Sequence, residues 1–223
     1  MKTIIIKLGG SLVVPNDVDT NFLKQFKKLI EEYAAKGFKF GIVVGGGKIC
    51  RKYQLAAQEL IGEDQKAVDW LGIEVTRLNA HLVKTIFADL ADDKIIIDYS
   101  KKPELTKPVT IGAGYKPDWS TDYDAMVFAK SVGALELIEL SNIAHVYDKD
   151  PNIYKDAKPY DRMTWDEMLL VCKGPWKPGL NSPLDPMAAK EGAKNRQKVV
   201  FLAGLENLKN YLDEKSFVGT VVE

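Results

Sequence analysis

Short unbroken apolar runs alternate with longer segments whose apolar residues fall on one helical face. Residues 3–8 form a β-branched run that stops at Gly9-Gly10, and residues 38–44 form another that stops at Gly45-Gly46-Gly47. Runs this short, closed by glycine, predict strands buried on both faces. Between them Phe22, Phe26, Leu29, Ile30 and Tyr33 share one face of a helix, and Gly37 stands where that helix would be capped. Helices are expected over about 48–61 and 66–90, followed by short strands at 94–98 and 109–111. The second half repeats the alternation. A helix should run from Thr121-Asp122 to Gly133, with a strand over 135–140. Thr164-Trp165-Asp166-Glu167 has the form of a capping box, and Asp185-Pro186 opens a further helix with Asp as N-cap and Pro in its first turn. Residues 199–202 and 218–222 supply closing strands.

Strands separated by crossover helices specify the α/β class: a three-layer arrangement in which a mainly parallel sheet is covered on both faces. No internal repeat or low-complexity linker interrupts the chain. A division into lobes 1–115 and 116–223 is expected in the loop that holds Gly112, Gly114 and Pro117.

Composition narrows the function classes. The 223 residues carry 31 Lys+Arg against 31 Asp+Glu, so the basic excess of a nucleic-acid binder is missing. No apolar run approaches the roughly 20 residues of a membrane span, and the N-terminus lacks the pattern of a signal peptide. Cys50 and Cys172 are far apart and each stands alone, which fits neither a disulfide framework nor a zinc site. The expectation is a cytoplasmic protein without nucleic-acid or membrane partners.

Candidate chemistry begins at Lys7-Leu8-Gly9-Gly10-Ser11. Ligands of open α/β sheets bind beyond the carboxyl ends of the strands. Glycines there let backbone N–H groups approach a phosphate, and Lys7 adds a cation. Gly45-Gly46-Gly47 ends the next strand in the same way, with Lys48 and Arg51 one helical turn apart behind it. Gly47-Lys48 is not the end of a P-loop: the motif's first glycine falls on Ile42 and its hydroxyl position on Ile49. Gly112-Ala113-Gly114 is not a dinucleotide fingerprint, because its third glycine position is Pro117. Further candidates are the hydroxyl–acid string Ser120-Thr121-Asp122, and the segment from Ser141-Asn142 to Tyr147-Asp148-Lys149-Asp150-Pro151. Each of these strings also reads as an ordinary turn. His81 and His145 read as structural.

Taken in order, these strings together with Asp185-Pro186-Met187-Ala188-Ala189-Lys190 resemble the amino acid kinase superfamily. With Asp69, Gly72, Thr76 and Asn79 on the third long helix, the resemblance is greatest to archaeal-type uridylate (UMP) kinases. It implies a homohexameric kinase that takes ATP, with Mg2+ carried on the ATP phosphates, and UMP. The acceptor would sit in the amino-terminal lobe and ATP in the carboxyl-terminal one. The resemblance places Lys7, Gly9, Gly10 and Ser11 at the transferring phosphate. It puts Gly45, Gly46 and Gly47 around the acceptor, with Arg51 on its phosphate, Asp69 on its ribose and Thr121 nearby. Asp122 would order the site, Asn142, Tyr147 and Asp150 would contact ATP, and Asp185 would position the catalytic lysine from below. No residue is expected to hold a metal directly. Lys190 is either a second phosphate lysine or a solvated side chain.

The chain departs from that pattern at Ala144-His145, where the family carries Asp-Gly, and at Asp118, where it usually carries glycine. An acceptor other than UMP, either a carboxylate or another phosphate, and a non-catalytic nucleotide- or oxyanion-binding homologue are the alternatives that these departures leave open.

Overall fold

In a computed structural model of the protein, which describes residues 2–62, 64–151, 153–174 and 182–223, the first apolar run becomes β1 (Thr3–Leu8). It passes through the short α1 (Gly10–Val13) into α2 (Thr20–Ala35), whose N-terminus is capped by Asp19 accepting from Phe22 N at 2.8 Å. Then follow β2 (Lys39–Val44), α3 (Gly47–Ile61) and α4 (Gln65–Phe87). After a 3-10 turn come β3 (Val109–Gly112), α5 (Thr121–Val132) and β4 (Glu136–Ser141). β5 (Val146–Tyr147), β6 (Pro159–Tyr160) and β7 (Arg162–Met163) lead to α6 (Trp165–Val171). The chain closes with α7 (Pro186–Asn195), β8 (Lys198–Ala203), α8 (Leu205–Leu212) and β9 (Gly219–Val222).

The main sheet has the order β3-β2-β1-β4-β8-β9-β7. Its pairings are parallel except that of β9 with β8. Successive side chains of a strand point to opposite faces, and β1 sends apolar side chains to both, three to one face and Ile5 to the other, where Lys7 follows it. Ile4, Ile6 and Leu8 join a core with Phe26 and Ile30 of α2, Val83 of α4 and Leu208 of α8. Ile5 joins another with Phe128 of α5, Met168 of α6 and Ala188 of α7. Burying each such side chain contributes about 1.5–3 kcal/mol, so β1 is fixed from both sides and the molecule is a three-layer α/β/α sandwich.

β1 lies between β2 and β4, so strand order reverses there. The loops after β1, β2 and β4 leave the same edge of the sheet at that switch point, where the strand ends splay a crevice open.

Some expectations are corrected. Residues 94–98 do not form a strand, and Ile96 makes an isolated bridge to Gly112. Beyond the edge strand β3 the chain turns instead, with Asp98 Oδ1 accepting from Ser100 N at 3.0 Å. α1, α8 and the small β5–β6 hairpin go beyond the elements anticipated. Among the described residues no helix is long and apolar enough to cross a membrane.

Candidate active site

The two glycine turns are packed against each other. Gly45 N donates to Leu8 O and Gly9 N donates to Leu140 O, both at 2.9 Å, which ties the ends of β1, β2 and β4 together. A Cβ at Gly10 would overlap the backbone of Gly45 and Gly47. Gly47 has φ +70°, and a Cβ there would lie 2.5 Å from the Gly10 carbonyl carbon. Only glycine permits that backbone contact. Asn79 of α4, buried among these turns, donates from Nδ2 to Gly45 O at 3.0 Å and to Gly46 O at 3.2 Å. With those carbonyls held back, and no side chain capping α3, the first N–H groups of that helix are open to an anion.

Lys7 stands at the junction. Its Nζ lies 2.7 Å from Asp122 Oδ1 at the start of α5 and 3.3 Å from Glu139 Oε2 on β4. Burial alone would lower the Lys7 ammonium, but Asp122 and then Glu139 outweigh it and hold it above its ordinary value. For Glu139 burial dominates and the neighbouring Asp122 adds to it; against the attraction of Lys7 the carboxyl is pushed up to about 8. Asp185, expected to position the lysine, makes no ion pair with it among the described residues. Its Oδ1 caps α7 by accepting from Met187 N at 2.8 Å, its Oδ2 accepts from the Ser120 hydroxyl, and its own N–H donates to Asp122 Oδ2 at 3.1 Å. Asp185 therefore steadies Asp122, which touches the lysine. Burial raises the Asp185 carboxyl above its usual range.

On the side of α3 and α4, Asp69 is buried and accepts from Gln65 Nε2 at 3.1 Å and from Asp118 N at 3.3 Å. Asp118 itself has φ +67°, the left-handed conformation that suits glycine and that aspartate tolerates better than most side chains. Its side chain is exposed and does not line the cleft between these surfaces. Thr76 Oγ1 donates to Ile73 O at 2.7 Å and accepts from Gly114 N at 2.8 Å, fastening the loop after β3 to α4.

On the other side, Ser141 and Ile143 make a tight turn at the end of β4. His145 Nδ1 lies 3.2 Å from Tyr160 O, and its ring meets that of Tyr147 edge-on at 6.2 Å. Neither Ala144 nor His145 is in the left-handed region, so neither position requires glycine. Asp150 O accepts from Tyr154 N at 2.9 Å, closing the turn at Pro151.

These surfaces enclose one cleft of about 1160 Å³. It is bordered by Lys7, Gly9, Gly10, Ser11, Gly45, Gly46, Gly47, Arg51, Asp69, Thr121, Asp122, Asn142, Tyr147, Asp150 and Asp185. Lys190 is exposed and lies away from it. Glu139 borders it without having been singled out. The signal for Glu139 was an acid inside the apolar strand Leu137-Ile138-Glu139-Leu140. A buried polar residue carries more information than a buried apolar one. Among the described residues no cluster of three or more His, Cys, Asp or Glu is arranged to hold a metal ion.

A family model described as the amino acid kinase family matches residues 2–203. A uridylate kinase of Methanocaldococcus jannaschii is 32% identical, with 99% of each chain covered. One of Methanoculleus marisnigri is 34% identical over all of this chain and 96% of its own. A crystal structure of the uridylate kinase from Archaeoglobus fulgidus superimposes with a TM-score of 0.85 at 31% identity, covering both chains completely.

Proposed function

The chain belongs to the amino acid kinase family, and on that premise we propose that it transfers the γ-phosphoryl group of ATP to UMP, giving UDP and ADP. The observation that carries this reading is Lys7 at the meeting point of two interlocked glycine turns in one cleft. Phosphoryl transfer asks little covalent work of a protein. It needs donor and acceptor held in line, with cations and N–H donors around oxygens that gain charge. The backbone at Gly9, Gly10 and Ser11, with Lys7, supplies these at the transferring group.

In this reading lobe 1–115 receives UMP. Arg51 forks onto its phosphate, Asp69 meets its ribose, and Gly45, Gly46, Gly47 and Thr121 frame the acceptor. Lobe 116–223 receives ATP against Asn142, Tyr147 and Asp150. Asp122 orients Lys7, and Asp185 acts through Asp122. Magnesium arrives as the ATP complex, its ligands being phosphate oxygens and water, and neutralises phosphate charge there. We further place the enzyme in the cytoplasm as a homohexamer. In support of assembly, α3 has no buried residue and exposes Tyr53, Leu60 and Ile61, an apolar surface of the kind that protein partners cover.

Release of ADP measured with a panel of acceptors tests the reading. Turnover on UMP is expected. Turnover only on a carboxylate or another phosphate would replace the acceptor, and nucleotide binding without turnover on any of them would overturn the kinase assignment.

A further inference from the structure

The phosphate junction holds an excess of negative charge. One ammonium, Lys7, faces two carboxylates, Asp122 and Glu139. With both acids ionised the group carries one net negative charge where a polyanion is to be received, and like charges at this range repel.

Glu139 is the acid built to relieve that excess. It is 3% exposed; its Oε2 lies against Lys7, while Oε1 is buried without a hydrogen-bond partner among the described residues. One oxygen is therefore committed to the lysine and the other is open to a proton. The charged groups facing Glu139 are Lys7, its register partner on β1, and Asp122 from α5. On its other side β8 presents the apolar Phe201. Burial and Asp122 raise the carboxyl to about 8, whereas Lys7 stays above its ordinary value and keeps its charge through that range.

We propose that Glu139 is the proton switch of the phosphate cradle: it carries a proton while the triphosphate of the donor nucleotide is bound, so that nucleotide binding takes up a proton in alkaline solution. Protonated, Glu139 still accepts from Lys7 through Oε2, and the junction becomes a neutral Lys7–Asp122 pair that an anion enters without net repulsion. Glu139 acts through the lysine and is a positioning residue. The inference rests on the kinase reading for the identity of the ligand.

The test is titration calorimetry of MgATP without any acceptor, in buffers of different ionisation enthalpy. At pH 9 the last phosphate proton, with a pKa of about 6, is gone, so protons taken up enter the protein. The wild-type protein is expected to take up about one proton at pH 9 and far less at pH 6.5. Its Kd for MgATP should weaken about tenfold per pH unit above the Glu139 titration. Glu139→Gln should bind without that uptake and with a flat profile. Binding at pH 9 with no proton uptake by the wild-type protein, or equal uptake by Glu139→Gln, overturns the proposal. If the variant fails to fold, absence of uptake by the wild-type protein still overturns the proposal. The carboxyl carbon shift of Glu139 in the wild-type protein at pH 9, with and without MgATP, then shows whether the proton goes there. Because no acceptor is present, this failure is distinct from a failure to phosphorylate UMP, which would strike the kinase reading itself.

Discussion

The proposed role of Lys7 at the phosphoryl group requires a cation, and its neighbours keep it one. Lys7→Ala is expected to lower turnover by about 10²–10³-fold, the scale of losing one preorganised charge-stabilising group, with the circular dichroism unchanged. Unchanged turnover would remove Lys7 from the mechanism. The same variant should reveal the titration of Glu139. Its folded-state carboxyl is raised from 4.5 to about 8, so between those values the native protein binds more protons than the unfolded chain. Stability from this group is accordingly present at low pH and lost as pH rises through that window. Without Lys7 nothing offsets the buried anion. The difference in urea midpoint between variant and wild type should therefore widen from pH 6 to pH 9; a constant difference would mean that Glu139 does not titrate there. With Arg51 on the acceptor phosphate as proposed, Arg51→Ala should raise KM for UMP by about tenfold or more and KM for ATP much less. Equal effects would move Arg51 off the acceptor. At this scale the sequence named Lys7, Asp122 and Arg51 but passed over Glu139, whose meaning depends on which side chain faces it across the sheet.

The elements that make the site are the two turns and the helices behind them. Gly10→Ala would force a Cβ into the backbone of Gly45 and Gly47, where no flexible side chain can yield. A loss of about 1–3 kcal/mol is expected, as for overpacking of a rigid site, together with a collapse of kcat/KM. Gly133 closes α5 at φ +70° with nothing within 4 Å of an added Cβ. Gly133→Ala should cost only about 1–2 kcal/mol and leave KM unchanged. Comparable kinetic damage from both variants, measured beside their denaturation curves, would show that the contact between turns is not what matters. Helix boundaries were legible because their signals are local. Thr164 and Glu167 satisfy each other's N–H groups in a capping box, and Asp185 caps the helix that Pro186 begins. Residues 94–98 misled because an apolar run becomes a strand only with a continuous partner, and this one meets its neighbour at a single bridge.

For the whole molecule, the cleft spans strands from both halves of the chain at the point where β1 separates β2 from β4. A ligand bound there stabilises the fold by mass action. MgATP at a hundred times its Kd should add about 2.7 kcal/mol, and UMP and MgATP together should raise the unfolding temperature more than either alone. A nucleotide that leaves that temperature unmoved at such concentrations is not a ligand of the folded protein.

The order of buried strands and amphipathic helices, the glycine breaks and the balanced charge were written in the sequence, because burial of apolar area is non-directional and needs only the right period. That residues 7, 122 and 139 converge on one ammonium was decided by strand order and register, which pair Lys7 with Glu139 across β1 and β4. Such contacts join positions far apart in the chain, and their energy depends on ångström-scale distance and on exclusion of water, neither of which a local pattern specifies.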